Sequence, residues 1–227
     1  MSLQVVGLEV RLPQKGARVS SSFSARKPMA EVSVVLEDGR SREIVVPVRA
    51  GRVLQAEGIA LPQDEEAAFD AIHALEGRVC LAMLAEMLSR RDHGTEEARA
   101  KLRRYGFREQ EIEGAVARAT EMRFLDDDRF CGYFIEERKR RGWGRLRIEV
   151  ELKRKGIDPA SIPGYPDAFF DESDDLNRAR AVLSRKRVPD AKPFDKLVRA
   201  LMSKGFPYRI ASQAARERID AEEVDGC

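Results

Sequence analysis

The sequence is poor in the residues from which most active sites are built. Its 227 residues include two histidines, three cysteines and one tryptophan. The cysteines, Cys80, Cys131 and Cys227, are odd in number and fit neither a disulfide framework nor the spacing of a zinc site. The sequence contains no Walker loop, nucleophile elbow or His-Glu-x-x-His motif. We therefore expect a protein that is not an enzyme and that binds neither a metal ion nor a cofactor.

Long apolar runs and the apolar segment of a secretory signal peptide are also missing. We therefore expect a cytoplasmic protein that makes no contact with a membrane. Charged residues make up 35% of the chain, and this high fraction fits an elongated helical array better than a compact globule. The net charge is only +2, so any function that depends on positive charge must be local.

Three consecutive aspartates, Asp126, Asp127 and Asp128, are the one acidic cluster that suggests a cation site, because adjacent carboxylates can bind a divalent ion. They also stand where a helix is predicted to begin. A carboxylate at that position accepts hydrogen bonds from the free amide groups of the first turn. Capping is the simpler interpretation, and we predict no metal at these residues.

A six-residue pattern occurs three times. Leucine is followed by three variable residues, a glycine and a bulky apolar residue at positions 102–107, 152–157 and 201–206. Glycine tolerates the positive φ that many helix ends require, so each copy predicts the end of a helix. The copies are 50 and then 49 residues apart, which indicates a tandem helical repeat from about residue 76 onward. The alternative is that the pattern is only a common helix ending.

The N-terminal part has a different pattern. Apolar residues alternate over residues 32–36 and again over 44–48, and Asp38 and Gly39 stand between them. This pattern predicts an antiparallel β-hairpin in a separate cap. Because two strands alone are marginal in water, we expect residues 5–12, as a third strand, or the helix that contains Phe69 to cover the apolar side. A flexible arm is the expectation for the rest of residues 1–29, with a linker over residues 20–25.

These patterns predict a mainly α-helical protein, with three tandem three-helix repeats in an elongated array and a small cap that contains the β-hairpin. The predicted segments are an N-terminal extension (1–62), a linking helix with helical repeat 1 (63–125), helical repeat 2 (126–170), and helical repeat 3 with the tail (171–227). Prolines limit the third helix of repeat 2 to a short turn near residues 159–162. The acidic segment 167–175 is typical of a linker.

Repeat 2 also carries a family resemblance. Residues 125–130 read Leu-Asp-Asp-Asp-Arg-Phe, and Gly142 and Gly144 are followed at fixed spacing by Ile148, Glu151, Leu152, Lys155, Gly156 and Ile157. In these residues the sequence resembles the RecX family, which are small bacterial regulators of the RecA recombinase. Residues 88–102 resemble the opening repeat of that family, and the resemblance extends over about residues 30–219.

The resemblance implies a modular helical regulator that lodges in the groove of the RecA–DNA filament. Such a protein limits filament growth and strand exchange, and so acts in DNA repair, recombination and the SOS response. It implies a protein partner, the RecA filament, with single- or double-stranded DNA phosphates as a secondary contact. We expect the protein to act as a monomer.

A basic run in repeat 2 supplies the candidate binding residues. Residues 138–155 hold nine cations and two glutamates, a formal charge of +7. The predicted partner- or DNA-binding residues are Arg138, Lys139, Arg140, Arg141, Trp143, Arg145, Arg147, Lys153, Arg154 and Lys155. Cations near phosphates release counterions and bind in a salt-dependent way. The alternatives are a solvated helix face and, for Trp143, packing at a helix corner rather than anchoring a partner.

The second helix of repeat 2 is apolar on two sides. Ile148 and Leu152 lie on one side, whereas Leu146 and Val150 lie nearly opposite at 100° per residue. We therefore expect Leu146 and Val150 to contact an adjacent repeat or a partner. A helix-turn-helix protein that binds DNA directly is the alternative function, because short basic helices also suit the major groove. The lack of a clear set of Asn, Gln and Arg on one helix weakens that alternative.

Overall fold

The chain forms two compact units, Met1–Asp126 and Asp127–Cys227, in a computed structural model that describes residues 3–13 and 27–225. The first unit contains strands β1 (Gln4–Arg11), β2 (Met29–Leu36), β3 (Ser41–Pro47) and β4 (Gln63–Asp64), and helices α1 (Val48–Glu57), α2 (Glu65–Arg90), α3 (Thr95–Arg104) and α4 (Glu109–Glu121). The second unit contains α5 (Asp127–Arg140), α6 (Arg145–Arg154), a 3-10 helix (Pro159–Ser161), α7 (Glu172–Ser184), α8 (Pro193–Ser203) and α9 (Tyr208–Asp225). The predicted mainly α-helical class is confirmed.

The N-terminal sheet has the order β3-β2-β1-β4, and all its strand pairs are antiparallel. The predicted hairpin is confirmed, since β2 and β3 pair with Val32 opposite Ile44. Residues 4–11 form β1, which pairs with β2 over its length, so the third strand expected at residues 5–12 is confirmed. This strand widens the sheet, and the helix that contains Phe69, α2, packs against it, so both expected partners of the hairpin are present. The linker predicted at residues 20–25 lies outside the described residues.

The sheet is not a separate cap, and that prediction is wrong. Val32 and Leu36 of β2 belong to the same buried cluster as Ile72 and Leu84 of α2 and Ile112 of α4. A sheet of four short strands buries one face only if another element covers it. Here α1 and α2 pack on the sheet, and α3 and α4 pack against α2.

A single helix takes the place of two predicted elements. The linking helix and the first helix of repeat 1 are one continuous helix, the 26-residue α2. Asp64 caps it by accepting a hydrogen bond from the amide of Ala67 at 3.0 Å. Gly77 has the lowest helix propensity of its residues, and a Cβ atom added there would lie 3.0 Å from Oε2 of Glu111. Because the helix joins sheet and repeat, its burial depends on both.

The three repeated glycines end helices in the same way. Gly106, Gly156 and Gly205 have φ of +91°, +79° and +91°. In each copy the amide of the apolar residue after the glycine donates to the carbonyl of the leucine, as from Ile157 to Leu152 at 3.0 Å. This is the Schellman motif, and its leucine and its following apolar residue are buried in all three copies. The prediction that these glycines end the second helices is confirmed.

The third element of repeat 2 is short, as its prolines predict. It is the 3-10 helix Pro159–Ser161, which Asp158 caps through the amide of Ala160 at 3.1 Å. The segment after it is not a linker, which corrects the prediction for residues 167–175. Phe169 and Phe170 pack against the core of repeat 2, and residues 172–175 already belong to α7. The acidic residues of this segment suggested an exposed linker, but Phe169 and Phe170 between them are half-buried.

A buried carboxylate connects α2 to the start of α4. Glu76 has no exposed surface, and its Oε2 lies 3.3 Å from Nε of Arg108. Arg108 also contacts Nε2 of His73 at 2.8 Å and forms an ion pair with Glu111. Burial raises the pKa of Glu76 and lowers the pKa of His73. The guanidinium of Arg108 therefore neutralises a charge that cannot reach water.

Replacing Arg108 by Met should destabilise the first unit by about 3 kcal/mol, because a buried charge that loses its partner is uncompensated. Urea unfolding followed by far-ultraviolet circular dichroism measures this. Since the folded pKa of Glu76 lies above its unfolded value, the stability linked to its protonation is present at low pH and is lost as pH rises through the folded pKa. The destabilisation should therefore be smaller at pH 5 than at pH 8.

The matched control is Arg118→Met, which breaks the exposed ion pair with Glu121. It should change stability by less than about 0.5 kcal/mol. Equal losses in the two variants would show that the buried pair contributes no more than an exposed one.

Candidate partner-binding surface

The corner between α5 and α6 positions the predicted binding residues. Gly142 has a φ of +74°, and its amide donates to the carbonyl of Lys139 at 2.9 Å. The amide of Trp143 donates to the carbonyl of Arg138 at 3.0 Å. This Schellman turn reverses the chain within a few residues, so the basic end of α5 meets the start of α6.

Trp143 is half-buried at this corner. Its ring packs against the core of repeat 2, and its carbonyl accepts a hydrogen bond from Arg178 at 2.7 Å. The guanidinium carbons of Arg147 and Arg138 lie 3.9 and 5.0 Å from the ring centre. The indole therefore packs and also holds two cations by cation–π contacts. Its exposed part lies within this basic surface.

Five of the predicted cations have carboxylate partners. The pairs are Arg138 and Arg141 with Glu137, Lys139 with Glu136 and Asp174, Arg145 with Glu149, and Arg154 with Glu151. Glu136 and Glu137 directly precede the basic run, and its charge of +7 does not include them. Residues 136–155 hold nine cations and four glutamates, a formal charge of +5. The surface is thus less basic than the run alone indicates.

Arg140, Arg147 and Lys153 differ from those five. They are exposed, and none of them pairs with a carboxylate among the residues that the structure describes. Arg140 donates instead to the carbonyl oxygen of Glu136 at 3.3 Å. Lys155 lies 5.6 Å from the ring centres of Phe130 and Phe134. The cations best able to meet an external anion are therefore few and specific.

Sequence reasoning missed four further cations, Arg178, Arg185, Lys186 and Lys204. A cavity of about 730 Å³ in the second unit is lined by Arg140 and Arg141 of repeat 2 and by Arg185, Lys186 and Lys204 of repeat 3. Seven cations and two carboxylates line this cavity in all. The basic run at residues 185–187 was the available signal. Its approach to α5 depends on the packing of two repeats and is invisible in the local sequence.

Helix α6 keeps the two apolar sides that its sequence predicts. Ile148 and Leu152 are fully buried in the core of repeat 2. Leu146 and Val150 lie outside that core and are 48% and 50% exposed. At 100° per residue Lys153 projects within about 20° of Leu146, so this face combines apolar and basic side chains. We call Leu146, Arg147, Val150 and Lys153 the α6 face.

The aspartate cluster and two of the cysteines lie at a helix start and in the buried core. Asp127 and Asp128 lie in the first turn of α5, where negative charge faces the positive helix end. Within residues 3–13 and 27–225, no three His, Cys, Asp or Glu side chains come together as metal ligands. Cys80 and Cys131 are buried, and burial raises the pKa of both thiols to about 12. Among the described helices, none has the length and apolar character needed to span a bilayer.

Repeats 2 and 3 meet through two glycines. The amide of Gly144 donates to the carbonyl of Lys204 at 2.8 Å, and the amide of Leu146 donates to the carbonyl of Gly205 at 3.0 Å. A Cβ atom on Gly144 would lie 2.3 Å from the carbonyl carbon of Gly205. Two of the free amides at the start of α6, those of Gly144 and Leu146, are thus satisfied by the turn that ends α8. This contact fixes the orientation of the α6 face.

The chain is similar to known proteins in both sequence and fold. A family model described as RecX, second three-helix domain, matches residues 126–162. The chain is 35% identical over 125 residues to the regulatory protein RecX of Actinobacillus pleuropneumoniae serotype 5b (strain L20), which covers 54% of this chain and 82% of that protein. It is 33% identical over 134 residues to the regulatory protein RecX of Vibrio vulnificus (strain CMCP6), covering 57% of this chain and 86% of that protein.

Two solved structures are similar in fold. The crystal structure of RecX from Lactobacillus salivarius has a TM-score of 0.54 at 17% identity, and the match covers 62% of this chain and 95% of that one. A second crystal structure, of a regulatory protein RecX, has a TM-score of 0.57 at 16% identity and covers 81% of this chain and 94% of that one. At these identities the similarity concerns the fold.

Replacing Gly144 by Ala should destabilise the second unit by about 3 kcal/mol, because the new Cβ overlaps the backbone of Gly205. Trp143 is the one tryptophan of the chain and lies at this contact, so its fluorescence in urea measures the effect.

Gly132→Ala is the control, since Gly132 lies inside α5 with nothing within 4 Å of its added Cβ. It should stabilise the protein by about 0.5–1 kcal/mol, because alanine favours a helix over glycine. A Gly144→Ala variant as stable as the parent would contradict the close contact between the two repeats.

Proposed function

Because this chain belongs to the RecX family of regulatory proteins, we propose that it binds the RecA–DNA filament and inhibits the recombinase and ATPase activities of RecA. It acts by binding and not by catalysis, as a monomer in the cytoplasm, and it serves DNA repair, recombination and the SOS response. The main contact is with RecA protein, and DNA phosphates are a secondary contact.

The observation that carries this proposal is the α6 face. It lies within residues 126–162, the part of the chain that the family model matches. Leu146 and Val150 expose about half of their surface, although both could have been polar at no cost to the core. Apolar side chains held on a rigid helix next to cations suit a protein partner with apolar and acidic surface.

The basic cavity supports the secondary contact. Arg140, Arg185, Lys186 and Lys204 come from two repeats and face one cavity, where their charges add. Phosphates of a DNA strand offer the complementary charge, and such contacts weaken as salt rises. A net charge of only +2 keeps attraction to free DNA weak at physiological salt. Filament binding therefore needs both the α6 face and this cavity.

Direct DNA binding through a helix-turn-helix is the second candidate function, favoured by the basic cavity. The composition of α6 argues against it. Its exposed side carries Leu146 and Val150, where a recognition helix presents side chains that hydrogen-bond to base edges. Retention of the purified protein on bare duplex DNA as strongly as on RecA-coated single-stranded DNA would favour this second function.

Replacing Arg147 and Lys153 together by Ala should raise the concentration for half-inhibition of the RecA ATPase about tenfold at 100 mM salt. Two interface ion pairs at roughly 0.7 kcal/mol each account for this factor. The measurement is ATP hydrolysis by RecA on single-stranded DNA with the protein titrated in. The difference from the parent should shrink as salt increases.

The matched control is the double variant Arg78→Ala and Arg118→Ala. It removes the same two charges from exposed positions of the first unit. Inhibition by this control should equal that of the parent. If the control loses as much inhibition as the α6 variant, net charge and not the α6 face governs binding.

Replacing Leu146 and Val150 together by Ser should weaken inhibition at least tenfold at both low and high salt. Burial of these side chains against a partner depends on apolar area, which salt does not screen. Both side chains are half-exposed, so the unfolding curve followed by Trp143 fluorescence should match the parent. Inhibition equal to the parent by this variant would show that the filament contact lies elsewhere on the protein.

A further inference from the structure

A second cavity lies in the first unit, away from the residues used above. Its volume is about 670 Å³, within the range of pockets that hold small molecules. The cavity opens where the ends of β1 and β3 meet α1, and its opposite side is formed by α2 and α3. The RecA-directed proposal makes no use of it.

The interior of this cavity is apolar. Met83, Met87 and Phe107 line it and are each at least 94% buried. Pro28, Pro47 and the ring of Tyr105 complete the apolar lining. Flat and flexible apolar side chains of this kind accept an aromatic ring of a ligand.

Cations dominate the polar lining. Six of them contribute to the cavity: Lys27, Arg49, Arg52, Arg90, Arg91 and Lys101. The one carboxylate of the lining, Glu86, is engaged through both of its oxygens, by Arg49 at 2.6 Å and Arg90 at 2.6 Å. These bonds hold two guanidinium groups in place and lower the pKa of Glu86, so that it stays ionised. Arg91 pairs with Glu97, so Lys27, Arg52 and Lys101 supply the remaining positive charge of the cavity.

Two of these cations have no internal partner. Arg52 and Lys101 form no ion pair with a carboxylate in the described part of the chain. Arg52 is exposed on α1 and Lys101 is half-buried on α3, so the two stand on different walls. Lys27 lies 3.6 Å from the ring centre of Tyr105. Cations without a carboxylate partner around an apolar interior are complementary to an anion that carries an apolar or aromatic group.

We propose that this cavity binds a nucleoside phosphate, either free or as one nucleotide of a single strand. The base packs against the accessible apolar lining, Pro28, Val48 and Tyr105, above the buried floor of the cavity, and the phosphates contact Arg52, Lys101 and their neighbours. Arginine and lysine are the side chains that bind phosphate most strongly, through charge-assisted hydrogen bonds. An acidic peptide fits the charges but leaves the apolar interior without a complementary group. This site goes beyond the RecA-directed function and does not rest on it.

The test is isothermal titration calorimetry of the full chain at 50 mM salt. The probes are ATP, tripolyphosphate, adenosine, the oligonucleotide (dT)6 and a hexaglutamate peptide. ATP should bind at least tenfold more tightly than tripolyphosphate, because the base adds its contact with the apolar interior. Adenosine should bind more weakly than ATP, because it lacks the phosphates.

The decisive variant is Arg52→Ala with Lys101→Ala, which should weaken ATP binding at least tenfold. Neither side chain has a carboxylate partner within the structure's described ranges, so circular dichroism should show an unchanged fold. Arg52→Ala alone is the second variant and should give an intermediate affinity. The control with Arg78→Ala and Arg118→Ala removes equal charge outside the cavity and should bind ATP like the parent.

Each result has a defined meaning. Binding of (dT)6 and not of ATP, lost in the Arg52 and Lys101 variant, would support the site and identify a strand as the source of the nucleotide. ATP binding lost in that variant identifies the free nucleotide. The proposal is overturned if tripolyphosphate or hexaglutamate binds as tightly as ATP. It is also overturned if no nucleotide binds, or if the variant binds like the parent.

Discussion

A left-handed glycine after each second helix is the constraint on which the helical part of this protein depends. Gly106, Gly156 and Gly205 allow the chain to turn while the last carbonyls of the helix still find amide donors. The turn buries a leucine and the apolar residue after the glycine in one contact. At Gly205 the missing side chain has a second use, since the start of α6 packs directly on that backbone. The turn at Gly205 thus ends α8 and also joins repeats 2 and 3.

Ion pairing determines which basic residues are available to bind a partner. The charged side chains are numerous, but five of the nine cations at residues 138–155 already pair with a glutamate of repeat 2 or an aspartate of the next repeat. Such pairs leave little charge for a partner, and exposed ones contribute little to folding. The cations that stay open, such as Arg147 and Lys153, stand beside exposed apolar side chains. Specific binding follows from this arrangement of a few groups more than from total charge.

The two compact units carry different kinds of surface. The second unit presents a rigid helix face and an open basic cavity, which suit a large partner with protein and phosphate surface. The first unit has an enclosing cavity with an apolar interior and open cations, which suits a ligand of small size. The cavity of the first unit depends on the sheet, because its lining combines strand ends with residues from three helices. These elements come together because the sheet shares one core with the helices.

The sequence by itself determined the features that depend on near neighbours. Helix ends at glycine, the hairpin at Asp38 and Gly39, the short third element of repeat 2 and the two apolar sides of α6 all follow from local period and backbone preference. Tertiary structure alone decided which hairpin strand β1 pairs with, the single core of the first unit, the contact of Gly144 with Gly205, and the cavity that Arg140 and Lys186 both line. These contacts are between residues that are far apart in the chain. No local sequence pattern specifies which distant surface a segment will pack against.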